Sequence, residues 1–400
     1  PRSTPLYSSA ASDVYKRQSQ FVSGWQFEDR FILGGAGNSS ASITNGMKEA
    51  NLANPNITWY KVMTTNVGLD GSFWGGKLSF EFDYFYRKTT GYPATRNTSL
   101  PTTSGIPLPQ ENLNGSDNRG FELSLGTVQR IGNVNLQIKG NVAYAREKDL
   151  YKEQALPLNQ YKNWRDNGAY RWKNVTWGYE HIGQFQSYDE IYNSPIQDGK
   201  GNSSLRPGDI KYKDLNGDGL IDANDEKVIG KGTFPDLNFG LTLAADWKGF
   251  DVNILFQGAS NYTQVLNALT SPFRGPGEGN GFRVWMDSWH KADYNDPDSE
   301  WVPGKFPSLR IEGNDNNSKK STYWTTDAYY VRLKSIEIGY TIPKNLLSKV
   351  GIEHLRVYAN AYNPLTITNV KYTDPEAIEG WQSFYYPQLK VYSFGVNVSF

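Results

Sequence analysis

The last eleven residues of the chain, Lys390 to Phe400, follow a period of two that ends on an aromatic residue. Large apolar residues occupy every second position, with small polar residues between them: Tyr392, Phe394, Val396, Val398 and Phe400 against Ser393, Gly395, Asn397 and Ser399. Successive side chains of a β-strand point to opposite faces, so this pattern predicts a strand with two unlike faces. A strand needs roughly 9 to 11 residues to cross a bilayer, whereas strands of globular proteins usually have about 5 to 6. The length favours a strand of an outer-membrane barrel over one of a secreted sandwich.

The same alternation recurs far upstream, in residues 77–88. One face carries Leu78, Phe80, Phe82, Tyr84 and Tyr86, and the other carries Lys77, Ser79, Glu81, Asp83 and Arg87. The charged face requires water, while the aromatic face suits lipid. This is the division between lumen and membrane that a barrel strand must make.

Further period-2 segments predict strands at residues 59–70, 119–129, 134–146, 237–247, 250–258, 329–340, 354–362 and 389–400. Short turns, such as Lys248–Gly249, alternate with long polar loops, such as Thr89–Asn118, as they do in outer-membrane barrels. Between Leu333 and Ile336 the apolar set changes parity, which predicts a β-bulge or a strand leaving the membrane. The predicted fold class is all-β: a transmembrane antiparallel β-barrel with roughly ten or eleven strands, about half of a larger barrel.

Composition excludes several other classes. The chain has no run of some 18 apolar residues and a mean hydropathy of −0.62, which excludes membrane-spanning helices. Its 41 basic and 41 acidic residues cancel, so charge gives no argument for nucleic-acid binding. Cysteine is absent, which excludes disulfides and thiolate metal sites. The three histidines are scattered, and nucleophile-elbow, phosphate-loop and dinucleotide motifs are absent, so we predict that the chain is not an enzyme.

The domain prediction has four parts. Residues 1–18 have no strand period and are expected to be foreign to the natural protein or disordered. Residues 19–147 are expected to hold barrel strands and loops, and residues 148–236 a folded extracellular excursion. Residues 237–400 are expected to hold further barrel strands, with a long tryptophan-rich loop at 261–326. We expect the whole to be a piece of a longer protein.

The sharpest local motif is DLNGDGLIDAND at residues 214–225. In a twelve-residue calcium loop, oxygen ligands recur at fixed positions around a glycine at position 6, which is Gly219 here. The predicted ligands are Asp214, Asn216, Asp218, the Leu220 carbonyl, Asp222 and Asp225. The last position usually holds a longer Glu, so closure by Asp225 is a departure, and Glu226 is an alternative. Since no amphipathic helices flank the loop, we predict a structural Ca²⁺ ion rather than a sensor; a turn that binds nothing is the alternative.

The second long loop holds four tryptophans: Trp285, Trp289, Trp301 and Trp324. Indole rings stack on sugars, and they also fill hydrophobic cores. The cluster is therefore a candidate surface for substrate or partner contact, with packing inside the loop as an equal alternative.

Several stretches resemble, in order, the SusC-like TonB-dependent transporters of the Bacteroidota outer membrane. They are PGDIKYKDLNGDGLIDANDEKVIG (207–230), WKGFDVNILFQGASN (247–261), STYWTTDAYYVRLKSIEIGYTIPK (321–344), LRVYANAYNPLTIT (355–368), DPE (374–376) and YPQLKVYSFGVNVSF (386–400). The resemblance covers about the last two hundred residues specifically and residues 59–146 more weakly, and it suggests the C-terminal half of such a transporter.

The resemblance implies a 22-stranded barrel with an N-terminal plug, of which this chain would be about half. It implies TonB-dependent import of glycans or oligosaccharides, or of peptides, together with a SusD-like surface lipoprotein that covers the barrel mouth. TonB would act through the part of the protein that precedes this chain. The terminal Phe400 is expected to act as a membrane-assembly signal.

Within such a barrel, polar residues such as Glu122, Gln137, Lys139, Asp251 and Asn253 would line the lumen. The calcium-type loop would hold an extracellular loop in place for the lipoprotein. Two other functions remain alternatives: a passive outer-membrane porin of the same fold, and a soluble calcium-dependent glycan-binding β-protein.

Overall fold

The computed structural model describes residues 24–32, 42–51, 54–96, 108–270, 282–310, 315–347, 351–377 and 388–400. Residues 1–18, predicted to be foreign or disordered, lie outside the described residues. Strands dominate the described chain, as predicted. Among the described residues, no helix has both the length and the apolar character needed to span a membrane.

Seventeen strands are present in the described ranges. They are β1 (Gly24–Ile32), β2 (Ser42–Asn51), β3 (Lys61–Phe73), β4 (Leu78–Thr95), β5 (Gln110–Ile131), β6 (Val134–Tyr151), β7 (Val175–Tyr179), β8 (His181–Gln184), β9 (Ile210–Tyr212), β10 (Glu226–Lys231), β11 (Leu237–Trp247), β12 (Phe250–Val265), β13 (His290–Lys291), β14 (Trp301–Val302), β15 (Thr325–Thr341), β16 (His354–Thr368) and β17 (Val391–Ser399). The short helices are α1 (Gln160–Asp166), α2 (Tyr188–Tyr192), α3 (Asn267–Thr270), α4 (Asp315–Ser318) and α5 (Lys344–Leu347).

Nine strands form one large sheet in the order β17-β16-β15-β12-β11-β6-β5-β4-β3. Apart from the short strands β7–β10, β13 and β14, which lie outside this sheet, neighbouring strands are consecutive in sequence, as in a meander. The pairs from β6 to β17 are antiparallel. The strands β1 and β2, which sequence patterning did not single out, pair with each other in a separate sheet.

The sheet has one apolar and one polar face, and both continue across strands in register. One apolar row runs through Val134, Trp247, Phe250, Tyr340, Val357 and Val396. The neighbouring polar row runs through Asn135, Asp246, Asp251, Gly339, Tyr358 and Gly395. Because alternate side chains keep this division over six strands, the sheet has the lipid and lumen faces that the alternation predicted. The predicted fold class is confirmed.

Two predicted irregularities of the strands are confirmed. Lys248 and Gly249 have φ values of 47° and 91°, and Trp247 pairs directly with Phe250. A two-residue loop with positive φ at both positions is the hairpin turn that matches strand twist. The parity change in β15 is a bulge, since the register shifts between Leu333 and Ser335.

Two strands extend far into a segment predicted as a loop. The prediction placed Thr89–Asn118 outside the strands, but β4 continues to Thr95 and β5 begins at Gln110. The Asn112 side chain donates to the carbonyl oxygens of Thr58 and Gly91, at 2.7 Å each. These polar segments stay extended because side-chain amides add to the backbone hydrogen bonds, without the apolar alternation that sequence reasoning requires.

The chain divides into two compact units. The first comprises Pro1–Thr65, Tyr86–Arg119 and Glu147–Trp172; within it the Arg119 guanidinium lies 5.2 Å from the Trp172 ring centre. The second comprises Asn66–Phe85, Gly120–Arg146 and Lys173–Phe400. Within the second unit, long segments connect the strands of the large sheet. We call their described parts, residues 173–232, 266–270, 282–310 and 315–324, the loop subdomain.

Candidate functional site

The loop subdomain has a hydrophobic core of its own. Its buried members are Tyr179, Ile210, Tyr212, Ile221, Leu266, Leu269, Trp285, Phe306 and Trp324. The first four belong to the excursion before the β11–β12 hairpin, and the others follow that hairpin. The two long excursions, predicted as separate, therefore fold around one core.

Buried polar contacts join the same two segments. Asn316 and Asn317, in α4, are almost fully buried. Asn316 Nδ2 donates to the Ile210 carbonyl at 2.9 Å, and the Ile210 N–H donates to Asn317 Oδ1 at 3.0 Å. The Tyr212 hydroxyl donates to the Asn316 carbonyl at 2.7 Å. Side-chain amides thus satisfy backbone groups of β9 that would otherwise be buried without partners.

A buried ion pair links the segments at a second point. Arg310 donates through Nη2 to both carboxylate oxygens of Asp209, and the two side chains are 4% and 0% exposed. Asn317 Nδ2 and the Arg206 N–H also donate to this carboxylate, at 2.8 and 2.9 Å. Arg310 Nη1 donates to the Ser204 carbonyl at 2.6 Å. Sequence reasoning missed this pair because its members are 101 positions apart.

The four tryptophans do not form an exposed surface. Trp285, Trp289 and Trp324 are buried, at 7%, 5% and 1% exposure, and Trp301 is partly buried. Trp324 Nε1 donates to the Asn317 carbonyl at 2.7 Å, and the Trp289 ring covers Gly208. The loop subdomain covers the aromatic faces of these rings, so of the two roles predicted for them, substrate contact and packing inside the loop, this arrangement favours packing.

The calcium-type loop is shaped by its own side chains. Asp214 accepts from the N–H groups of Gly217 and Gly219, at 2.7 and 2.9 Å. Asp218 accepts from the Leu220 N–H at 2.9 Å. Gly219, predicted at the sharp turn, has a φ of 80°, a conformation that favours glycine.

The end of this loop is anchored by Asp225, which is fully buried. Its two oxygens accept from the N–H groups of Leu215 and Asp222, at 2.8 and 2.9 Å. Asp222 in turn accepts from the Asn224 N–H at 2.7 Å. A short Asp in place of Glu therefore ties the last residue of the loop back to its beginning.

The donor set of the loop suits a hard cation, since it offers carboxylate, amide and carbonyl oxygens and no nitrogen or sulfur. The side chains, however, point their oxygens at backbone N–H groups. Across the part of the chain that the structure describes, no three His, Asp or Glu side chains converge as metal ligands. The chemistry of the set fits Ca²⁺, and the arrangement is that of a preformed turn.

A half-buried lysine lies near this loop. The Lys319 ammonium donates to the Gln197 carbonyl at 2.9 Å and lies 5.1 and 5.6 Å from the ring centres of Tyr179 and Tyr212. Burial lowers the pKa of Lys319, and nearby carboxylates, among them Asp198 and Asp225, offset part of that effect. The cation is thus held by aromatic faces and acidic neighbours.

The polar face of the large sheet carries the residues predicted for a lumen. Gln137 and Asn253 lie in one register row with Glu337 and Asn360. Arg356 binds two carboxylates on this face: Nε donates to Asp251 at 3.0 Å, and Nη2 donates to Glu337 at 2.7 Å. Such a wall presents many hydrogen-bonding groups on one face of the sheet.

Comparison with known proteins agrees with this architecture. No protein-family model matches the chain. It is 27% identical to TonB-dependent receptor P3 of Formosa agariphila, over 98% of this chain and 41% of the relative. It is 24% identical to TonB-dependent receptor SusC of Bacteroides thetaiotaomicron, over 87% of this chain and 32% of the relative. The chain therefore spans about two fifths of the length of the curated relatives it matches.

Solved structures show the same fold. The RagAB peptide importer in its open-open state matches with a TM-score of 0.64 and 21% identity, over 94% of this chain and 38% of that chain. The two-faced sheet, its tight hairpin turn and these relatives lead to one conclusion. The chain is a homologue of the SusC-like TonB-dependent receptors, which are β-barrel proteins of the outer membrane.

Proposed function

We propose that the longer protein containing this chain imports a solute across the outer membrane with energy delivered by TonB. The observation that carries the proposal is the polar face of the large sheet, continuous over six strands, in a homologue of TonB-dependent receptors. Import requires a hydrated wall with many weak contacts, and it requires no covalent chemistry. A SusD-like surface lipoprotein is the proposed partner on the loop side.

Glycans or oligosaccharides are the first candidate substrates, as the resemblance of the sequence motifs to SusC-like transporters implies. Peptides are the second, and two observations favour them. The structural neighbours are described as a peptide importer. In addition, the buried tryptophans leave the loop subdomain without the exposed indole surface that would suit stacking on sugars.

Uptake by cells tests the proposal. Cells that carry the full-length protein should accumulate a labelled oligosaccharide or peptide pool, and deleting TonB or collapsing the proton gradient should abolish the accumulation. Fractionating the retained pool identifies the substrate class. Uptake that equilibrates without accumulation and is indifferent to TonB would instead support the passive porin.

We also propose that the loop at 214–225 binds Ca²⁺ and that the ion holds this part of the loop subdomain in place for the lipoprotein. Asp214, Asn216, Asp218, the Leu220 carbonyl, Asp222 and Asp225 would hold the ion. The spacing of these oxygen donors and the turn at Gly219 support the proposal. The ion would supply positive charge among four carboxylates, of which Asp225 is buried and Asp218 and Asp222 are exposed.

Removing two carboxylates should reveal the ion. We expect Asp214→Asn with Asp218→Asn to weaken Ca²⁺ binding at least about tenfold, because calcium affinity depends on the number of charged ligands. Calorimetric titration of the chelator-treated full-length protein measures this directly. Asp296→Asn is the matched control, since Asp296 makes a similar turn by accepting from the Asp298 N–H at 2.9 Å. Equal Ca²⁺ binding by the double variant and the parent would refute the proposal.

A further inference from the structure

One segment after β16 folds onto the polar face of the large sheet. We call residues 370–377 the strap. Gln257 and Ala259 are on the same face of β12 as Asp251, which is in the polar row, because alternate residues share a face. Arg332 pairs with Gln257 and Tyr330 pairs with Ala259, so both lie on the polar face too. The strap contacts this same face through the groups described below. It therefore lies on the lumen side of the barrel wall.

The first attachment is apolar. Val370 packs into a buried cluster with Ala259, Tyr262, Ala328 and Tyr330, and each member is less than 10% exposed. Burial of an aliphatic side chain against the inner wall removes both surfaces from water. An apolar contact therefore covers the polar face at this level.

The second attachment is a buried arginine. Arg332 is 2% exposed, and its Nη2 donates to both oxygens of Asp374, at 3.1 and 2.9 Å. Its Nη1 donates to Glu376 at 3.0 Å and also to Gln388. Its Nε donates to the Thr366 hydroxyl at 3.0 Å. All three guanidinium nitrogens are thus used, and two strap carboxylates depend on one buried cation.

The third attachment is to the strap backbone. Gln264 Nε2 is within hydrogen-bond distance of Thr373 Oγ1, at 3.2 Å, and of the carbonyls of Asp374 and Ala377, at 3.1 and 3.3 Å. The Tyr262 hydroxyl donates to the Pro375 carbonyl at 2.8 Å. The carbonyls of a mobile loop would accept hydrogen bonds from water, whereas these carbonyls accept them from side chains of the sheet. These contacts indicate a fixed position.

We propose that the strap is a fixed inward constriction that limits the size of the solute, and that Arg332 is the positioning residue that holds it. The inference rests on the proposed import function, since a constriction matters only where something passes. Removing the guanidinium leaves Asp374 and Glu376 as unpaired carboxylates against a buried wall, which favours release of the strap into water. The passage then widens.

The position of the strap can be tested without transport, because the chain contains no cysteine. Val370→Cys introduces one thiol at a site that is 7% exposed. In the full-length protein, with any cysteine outside this chain replaced by serine, adding Arg332→Gln should raise the rate of maleimide labelling at least about tenfold, as local opening exposes the site. Arg356→Gln is the matched control: it also removes a guanidinium that binds two carboxylates on the polar face, but it has no contact with the strap.

Uptake of solutes of graded length supplies the second measurement. The Arg332→Gln variant should take up solutes longer than the limit of the parent and keep its uptake of shorter ones. An unchanged labelling rate of the introduced thiol in this variant would overturn the role of Arg332, and faster labelling with an unchanged size limit would overturn the constriction.

If Arg332→Gln does not assemble, as judged by heat-modifiable migration, the pair Asp374→Asn and Glu376→Gln tests the same attachment from the strap side. Faster labelling in a protein whose parent shows no TonB-dependent uptake would count against the import proposal alone.

Discussion

Replacing Arg310 by methionine should destabilise the loop subdomain by about 3–5 kcal/mol, because it removes the guanidinium that donates to both oxygens of the buried Asp209 carboxylate. Asp209 is 0% exposed, and Asn317 Nδ2 and the Arg206 N–H, which also donate to it, are neutral groups. The measurement is urea unfolding of the full-length protein in detergent, followed by tryptophan fluorescence. The indoles of Trp285, Trp289 and Trp324 report on this core.

A surface ion pair provides the comparison. Lys213 lies 3.6 Å from Glu180 and is half exposed, so Lys213→Met should cost less than about 1 kcal/mol. Replacing both Asp209 and Arg310 by leucine should recover part of the loss, since it removes the unpaired charge along with its partner. If Arg310→Met unfolds at the same urea concentration as the parent, the pair does not hold the two segments together.

Replacing Trp324 by alanine should also cost about 3–5 kcal/mol, because a buried indole leaves a cavity that the surroundings fill only in part. The ring is 1% exposed, lies 4.7 Å from the Tyr323 ring and bonds the Asn317 carbonyl through Nε1. Limited proteolysis and urea unfolding measure the loss. The stability of Trp324→Phe should fall between that of the parent and that of Trp324→Ala, since phenylalanine keeps an aromatic ring and loses the hydrogen bond.

The matched control for this prediction is Trp164→Ala. That side chain is 54% exposed, so its removal should change the stability by no more than about 0.5 kcal/mol. Equal losses at Trp164 and Trp324 would mean that burial in the loop subdomain is not what stabilises it. They would also leave substrate contact, the alternative to packing, as the role of Trp324.

The strand part of the molecule was predictable because its signal is local. Alternation in residues 237–247 and 250–258, with Lys248 and Gly249 between them, defines the hairpin and its register without distant information. The same holds for the bulge at Leu333 and Ser335, where the alternation itself changes phase. Strand ends were less predictable, since residues 89–95 of β4 and 110–118 of β5 do not alternate between apolar and polar side chains.

The loop subdomain was not predictable in the same way. Its contacts join residues such as Asp209 and Asn317, which no spacing rule connects. In addition, the sequence does not distinguish a tryptophan that fills a core from one that stacks on a sugar. The calcium-type loop lies between these cases. Its turn at Gly219 follows from the motif and is present, whereas the spacing alone does not specify which backbone N–H groups its carboxylates accept from.

The single core of the loop subdomain also has a consequence for the order of assembly. Its two segments are separated in the chain by the β11–β12 hairpin, and contacts such as Asp209 to Asn317 span 108 positions. The core cannot close until that hairpin has been laid down and both segments have reached the same side of the membrane. Contacts this distant in sequence also form slowly. We therefore expect closure of the core to follow formation of the hairpin, and we expect residues 173–232 to become protease-resistant only after that step.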